Sequence, residues 1–171
     1  LLWQGHASLV SEIAPLGLTP GAIVTAGGGG GLLSGIALGM AQCNWGKTAI
    51  VTAETQGAAS FNAALAANEL VQLPSIDSVA TSLGARQVCQ QALETSRVFT
   101  TLPQVVSDAE AVAACHRFLT DHRVLVEPAC GAALAVAYAD ARVLADYEAV
   151  VIEVCGGSTM DLETLQTLPG W

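Results

Sequence analysis

Four times along this chain a short apolar run ends at small residues and passes straight into an apolar stretch with helical spacing. GAIVTA (21–26) leads through glycines into LLSGIALGMAQ (32–42), and TAIVTAE (48–54) leads into TQGAASFNAALAANEL (55–70). RVLVEP (123–128) precedes ACGAALAVAYADARVLA (129–145), and AVVIEV (149–154) precedes CGGSTMDLETLQ (155–166). Runs that are apolar throughout, rather than alternating with polar residues, predict strands covered on both faces, as in parallel sheets. Strands that alternate with helices predict βαβ units, and so an α/β fold with a doubly wound, mainly parallel sheet and helices on both faces.

Two further stretches lie between these units. SDAEAVAACHRFLTDH (107–122) predicts a helix opened by a capping box, with Ser107 as N-cap and Glu110 three residues later. Ala111, Val112, Cys115, Phe118 and Leu119 recur at its helical spacing. In the segment from Leu70 to Arg97, Pro74 interrupts the chain, and a helix-like stretch is expected from near Asp77. No linker or low-complexity block divides the sequence, so residues 1–171 read as one domain.

Composition narrows the ligand class. A chain of 171 residues, 52% apolar, can bury a real core. A net charge of −9 argues against nucleic acid and anionic membrane, which select for clustered Lys and Arg. A small anion stays compatible, because oriented backbone N–H groups act locally. The uncharged run from Leu16 to Gly46 is long enough for a bilayer, yet Pro20 and five consecutive glycines, Gly27 to Gly31, break it up, as suits a buried strand, loop and helix. The five cysteines show no CxxC spacing, so neither a zinc site nor a disulfide framework is expected, and reduced thiols in a cytoplasmic protein fit best.

The glycines point to where a ligand sits. In open parallel sheets ligands lie outside the carboxyl ends of the strands, where a helix begins. Gly27–Gly31 and Gly156–Gly157 both occupy such positions. A backbone coiled through glycines can aim consecutive N–H groups at an anion such as a phosphate, and the following helix dipole adds to the attraction. Leu32 and Leu33 stand where a Walker loop would carry Lys and Ser or Thr, and the dinucleotide fingerprint lacks its third glycine. A turn built only for tight packing is the plainer alternative.

GGGGLLSG, WGKTAIVTAETQGAASFNAA, LPSIDSVATSLGA, VLVEPACGAAL and VCGGS resemble, in order, blocks of the serine dehydratases among the fold type II pyridoxal phosphate enzymes. The resemblance runs from LLWQGHASLV almost to Trp171. It implies a tryptophan synthase beta-like fold, here the C-terminal part of the catalytic domain and mostly its large cofactor-binding portion. By similarity, the backbone of Gly28, Gly29, Gly30, Gly31 and Leu32 would bind the cofactor phosphate. Cys155 would sit beside the pyridine nitrogen, with Gly156 and Gly157 letting the chain pass close to the ring. A thiol protonates that nitrogen poorly, which mutes the ring as an electron sink and suits β-elimination over transamination. The resemblance also implies a monovalent cation, potassium, held by the Glu54 carboxylate with oxygens of Gly28, Ala58, Ser60, Leu83 and Ala85. Oxygen-only ligation with one carboxylate suits a single charge, although Glu54 also reads as a solvated strand-exit residue.

The implied chemistry is loss of the β-hydroxyl of serine, and of threonine, giving a 2-oxo acid and ammonia. It needs a lysine, and the chain has one, Lys47, which reads as a solvated loop residue at the amino end of a strand, the wrong edge for the ligand. The resemblance puts the family's lysine upstream of Leu1, so the expected partners are a missing N-terminal segment or second chain, an amino-acid substrate, and a second copy in a homodimer. On this reading the chain alone is inactive, and a non-catalytic phosphate- or cofactor-binding module is the alternative. His6 matches a family block but reads as structural. His116 and His122 read as solvated. Glu127 with Pro128 reads equally as a helix start or a substrate contact, and Cys43, Cys89, Cys115 and Cys130 read as small buried hydrophobes.

Overall fold

In the computed structural model, which describes residues 2–139 and 141–171, strands β1 (Ala22–Ala26), β2 (Ala49–Thr55), β3 (Thr101–Val106) and β4 (Val150–Ile152) form one sheet in the order β3-β2-β1-β4. Every pairing is parallel, with Val24 in register with both Val51 and Ile152. The helices are α1 (Leu2–His6), α2 (Ser8–Ile13), α3 (Gly31–Gln42), α4 (Ser60–Ala67), α5 (Gln90–Val98), α6 (Asp108–His122), α7 (Pro128–Tyr138) and α8 (Leu162–Gln166).

Side-chain alternation along the two central strands builds the layers. Ile23 and Ile50 point to one face and pack with Ile36 and Met40 of α3, Phe61 of α4 and Leu93 of α5. Val24 and Val51 point to the other and meet Ala129, Ala132 and Ala133 of α7. A third cluster lies behind α7, joining Val112 and Cys115 of α6 to Leu134 and Leu165. Helix α7 is thus enclosed by sheet and helices, which explains its apolar residues all round. The sheet with helices on both faces is the architecture expected.

Three expectations about elements change. RVLVEP is not a strand: residues 124–127 run past the end of β4 as irregular chain, tied to it through Glu127 N–H donating to Gly156 O at 3.0 Å. The strand in this part of the chain is instead β3, whose Pro103 cannot donate to a ladder and is tolerated because β3 lies at the sheet edge. No helix begins near Asp77. Residues 71–89 are irregular apart from a 3-10 turn at Thr81–Leu83, and α5 starts at Gln90. Polar anchors hold that segment open: Asp77 N–H donates to Gly57 O (3.0 Å), and the Ser78 hydroxyl and Val79 N–H donate to the Asp108 carboxylate (2.6 and 2.9 Å). The capping box on α6 is present, with Ser107 N–H donating to Glu110 Oε2 at 2.7 Å. Among the described residues no helix is long and apolar enough to cross a membrane.

Gly131 sets how closely α6 and α7 cross, since a Cβ there would lie 2.1 Å from Ala111 O and 2.6 Å from Cys115 Sγ. Backbone cannot yield as a side chain does, so Gly131→Ala should cost about 1–3 kcal/mol of stability. Urea unfolding followed by circular dichroism measures this. An unchanged midpoint would show that the two helices are not held at this spacing.

Candidate functional site

Four chain segments meet at the carboxyl edge of the sheet: the glycine loop after β1, residues 82–85, the start of α7 from Glu127 to Cys130, and the Cys155–Gly157 turn after β4. They enclose a cleft of about 130 Å³, lined among others by Gly28, Leu32, Leu83, Glu127, Cys130 and Cys155. Two larger hollows, of about 370 and 400 Å³, lie on the outer faces of α6–α7 and α3–α5 and touch neither glycine loop. The smaller cleft is therefore the better candidate, because strand ends and helix N-termini converge there.

The loop is built for close approach. Gly27 N–H closes onto Ala53 O (2.7 Å), and Gly29 O accepts the Cys89 N–H (3.0 Å). Gly30 has φ +87°, and a Cβ on it would sit 2.5 Å from the Ala92 side chain, so both conformation and space require glycine. Among the described residues, the N–H groups of Gly28, Gly29 and Gly30 donate to no backbone carbonyl or side chain. Those of Gly31 and Leu32 open α3, where no intrahelical acceptor exists. Five consecutive unspent donors at the head of a 12-residue helix make an anion cradle that needs no charged side chain.

Glu54 is fully buried at the end of β2. Its carboxylate accepts the Phe61 and Asn62 N–H groups at 2.9 and 2.8 Å, so it caps the N-terminus of α4. A solvated strand exit is thereby ruled out. Burial pushes its pKa from 4.5 up to about 7, against the lowering effect of those two hydrogen bonds. The other residues of the expected cation set lie nearby in part. Ser60 opens α4 and its buried hydroxyl has no partner, while a Cβ on Gly28 would meet Ser82 O at 3.4 Å and Leu83 Cα at 3.6 Å. Ala85 approaches Gly29, and Ala58 is buried in the turn before α4.

At the opposite wall, the Cys155 thiol donates to Glu153 Oε1 at 2.9 Å, and Cys130 Sγ accepts the Gly156 N–H at 3.3 Å. The adjacent Cys130, then burial, then Glu153 push the Cys155 thiol up, so it stays protonated at neutral pH. Gly156 has φ +133°, and a Cβ on Gly157 would lie 2.9 Å from Val126 Cα. Glu127 is the N-cap residue of α7, with Pro128 in its first turn, and its carboxylate accepts the Thr159 hydroxyl.

Two participants escaped the sequence reading. Cys130, taken as a small buried hydrophobe, lines the cleft and hydrogen-bonds the Gly156 backbone. Glu153 was visible as the one acid in AVVIEV, two residues before Cys155 and hence on the same side of an extended chain. Cys115 fits the hydrophobe reading, burial pushing its thiol up to about 12. Cys43 and Cys89 are only half-buried. Lys47 is exposed in the turn before β2, at the amino edge of the sheet and away from the cleft. His6 packs its backbone against Gly35 of α3, His116 stacks on Trp171, and His122 on Phe118.

Comparison with known proteins shows what the chain is similar to. The family model described as "Pyridoxal-phosphate dependent enzyme" matches residues 1–156. A serine dehydratase-like protein of Mus musculus is 49% identical over 98% of this chain and 54% of its own length. The L-serine dehydratase/L-threonine deaminase of Homo sapiens is 44% identical over the same shares. The crystal structure of a fungal L-serine ammonia-lyase from Rhizomucor miehei superposes with TM-score 0.92 at 36% identity, over 96% of this chain and 54% of that one. The chain spans about half the length of the curated relatives it matches.

The Glu54 environment has a consequence for stability. The folded protein holds this proton up to about pH 7 and the unfolded chain only to about 4.5. Folded protein therefore binds more protons across that window, and its stability falls as pH rises through it, by about 3 kcal/mol in buffers free of small cations. Denaturant titrations between pH 4.5 and 8 should show the decline in wild type and its loss in Glu54→Gln. Parallel curves for the two proteins would remove Glu54 as the source.

Proposed function

The chain belongs to the pyridoxal-phosphate dependent enzyme family, and from that premise we propose that it is the C-terminal part of a pyridoxal-phosphate-dependent L-serine dehydratase that also takes L-threonine. The reaction is β-elimination of the hydroxyl, yielding pyruvate or 2-oxobutanoate and ammonia. One observation carries the reading: Gly28 and Leu32 of the glycine loop, with its unspent N–H groups, line one cleft together with Cys155 at the carboxyl edge of the sheet. The similarity to serine dehydratases and to a serine ammonia-lyase supports the substrate class.

Pyridoxal phosphate, when bound, supplies the electron sink for the electrons released when the substrate loses its α-proton. This chain's residues have the task of holding and orienting it. Gly28, Gly29, Gly30, Gly31 and Leu32 would hold the phosphate through backbone donors, with the α3 dipole behind them. Cys155 would stand beside the ring nitrogen, and Gly156 and Gly157 would let the chain lie flat against the ring. The set fits the group, because the cradle of unspent backbone donors is anion-seeking and lies at the head of α3.

The same reading places potassium beside the loop, held by Glu54 and by oxygens of Gly28, Ala58, Ser60, Leu83 and Ala85. The unpartnered Ser60 hydroxyl and the buried carboxylate support it. A single charge there would favour ionised Glu54 and pin the glycine loop to β2. The substrate is a small amino acid, the complete protein a homodimer, and its reduced cysteines suit the cytoplasm.

The remote Lys47, the chain's one lysine, favours a second reading for the chain by itself, as a non-catalytic cofactor-binding module. The family's lysine would then have to come from the portion of its relatives that this chain does not span.

Three measurements test the proposal. Supplied with the N-terminal portion of a serine dehydratase and with pyridoxal phosphate, this chain should convert L-serine to pyruvate, read by a lactate dehydrogenase couple, and without that portion it should not. Cys155→Ala should lower the turnover about three- to tenfold, the worth of one neutral hydrogen bond, and equal turnover would deny Cys155 its place. Replacing potassium with tetramethylammonium at pH 8 should lower both turnover and melting temperature in wild type but not in Glu54→Gln. Indifference of wild type to the exchange would remove the cation site.

A further inference from the structure

Glu153 is a nearly buried acid that the proposed function leaves unused. It follows β4, is 8% exposed, and borders an apolar hollow lined by Val10, Ile13, Ile23, Ile36 and Val151. Its N–H continues the sheet by donating to Val24 O (2.8 Å), so the backbone there is fixed. The salt bridge found among the described residues, Arg117 with Asp121, is elsewhere on α6. Neutral donors hold Glu153 instead: the fully buried Thr25 hydroxyl reaches Oε2 at 3.3 Å, and the Cys155 thiol reaches Oε1 at 2.9 Å.

Two neutral donors, one of them a thiol, compensate a buried carboxylate poorly. What distinguishes the arrangement is its direction. A thiol has one proton, and here it points away from the cleft, toward Glu153. We propose that Glu153 is a positioning residue that claims the Cys155 proton, so that Cys155 presents sulfur lone pairs, not an S–H donor, to whatever occupies the cleft.

The pairing rests on the proposed function only for its consequence at the cofactor. With pyridoxal phosphate in the cleft, the ring nitrogen meets an acceptor with a negative charge behind it, which favours the protonated nitrogen. Cys155 therefore acts as a relay to a carboxylate, and the ring is a stronger electron sink than a lone thiol would make it. The other polar groups facing Cys155 are Cys130 and, across the cleft, Glu127. Neither supplies a positive charge, but Cys130 is a second acceptor for the Cys155 proton and pushes that thiol up more than Glu153 does, so the Glu153→Gln comparison is made in a Cys130→Ala background as well.

The test reads the thiol first, without cofactor. Alkylation of Cys155 by iodoacetamide, followed by peptide mass spectrometry across pH 6–10, gives its thiolate profile. Although Cys155 is the exposed cysteine, its rate at pH 8 in wild type should be about tenfold or more below that of N-acetylcysteine, since each unit of thiol pKa is tenfold in thiolate. Glu153→Gln removes the charge in the same shape and should raise the rate about tenfold, moving the profile to lower pH. A wild-type rate equal to the model thiol, or a profile unmoved in Glu153→Gln, overturns the pairing. The nitrogen-15 shift of ring-labelled pyridoxamine 5′-phosphate, which needs no lysine, gives the second readout: protonated in wild type, unprotonated in Glu153→Gln. A shifted thiol profile with no ligand bound would sink the cofactor reading and leave the Glu153–Cys155 pairing standing. Bound ligand with an unmoved profile would sink the pairing alone.

Discussion

Backbone passing against backbone at the carboxyl edge of the sheet is the constraint on which the rest of this structure depends. Gly28 lies against the Ser82 and Leu83 main chain, Gly57 against Asp77, and Gly157 against Val126 and Glu127. A Cβ would have no room at Gly57 or Gly157 and would just touch main chain at Gly28, and together these contacts draw five separate segments to one edge. Glycine gives up more backbone entropy on ordering than other residues. That cost is compatible with folding because two layers of buried aliphatic side chains hold the strands beneath it. The result is a cleft whose walls are main chain, so its chemistry is set by N–H and C=O direction more than by charged side chains.

Where carboxylates are buried near this cleft, the protein treats them differently. Glu54 meets the N-terminus of α4, whose N–H groups and dipole partly offset its desolvation. Glu153 meets only a hydroxyl and a thiol. Both stand where a positive charge arriving in the site would find them, one beside the glycine loop and one behind Cys155. A net charge of −9 therefore does not oppose an anionic cofactor locally, because the cradle is made of dipoles and the acids lie behind or beneath it.

Much of the fold was legible because β1, β2 and β4 carry uniform apolar runs and α3, α6 and α7 carry strong starts: a glycine turn, a capping box, and Glu127-Pro128. RVLVEP misled because apolarity reports burial, not pairing. Val126 is fully buried, but under loops and helices and not within the ladder. β3 was missed because Pro103 argues against a strand unless the strand is known to lie at the edge, and edge position is a tertiary fact. The open course of residues 71–89 depends on Asp108, some thirty residues away, and no local pattern encodes such an anchor. The glycine loop was marked by its composition and its place after β1, and Cys155 by the resemblance alone; the structure brings the two to one cleft. Cys130 needed coordinates, since its part lies in hydrogen bonds to the Gly156 backbone, while Glu153 was marked only by its spacing of two from Cys155.

The central claim is that this cleft receives a pyridoxal phosphate with its phosphate on the glycine loop and its ring against the Cys155 turn. A crystal structure of the chain soaked with pyridoxal 5′-phosphate tests it most directly. Phosphate oxygens are expected within hydrogen-bond distance of the Gly28–Leu32 N–H groups, with the ring nitrogen facing Cys155 Sγ. Phosphate bound on another face of the molecule, or a ring turned away from Cys155, would contradict it.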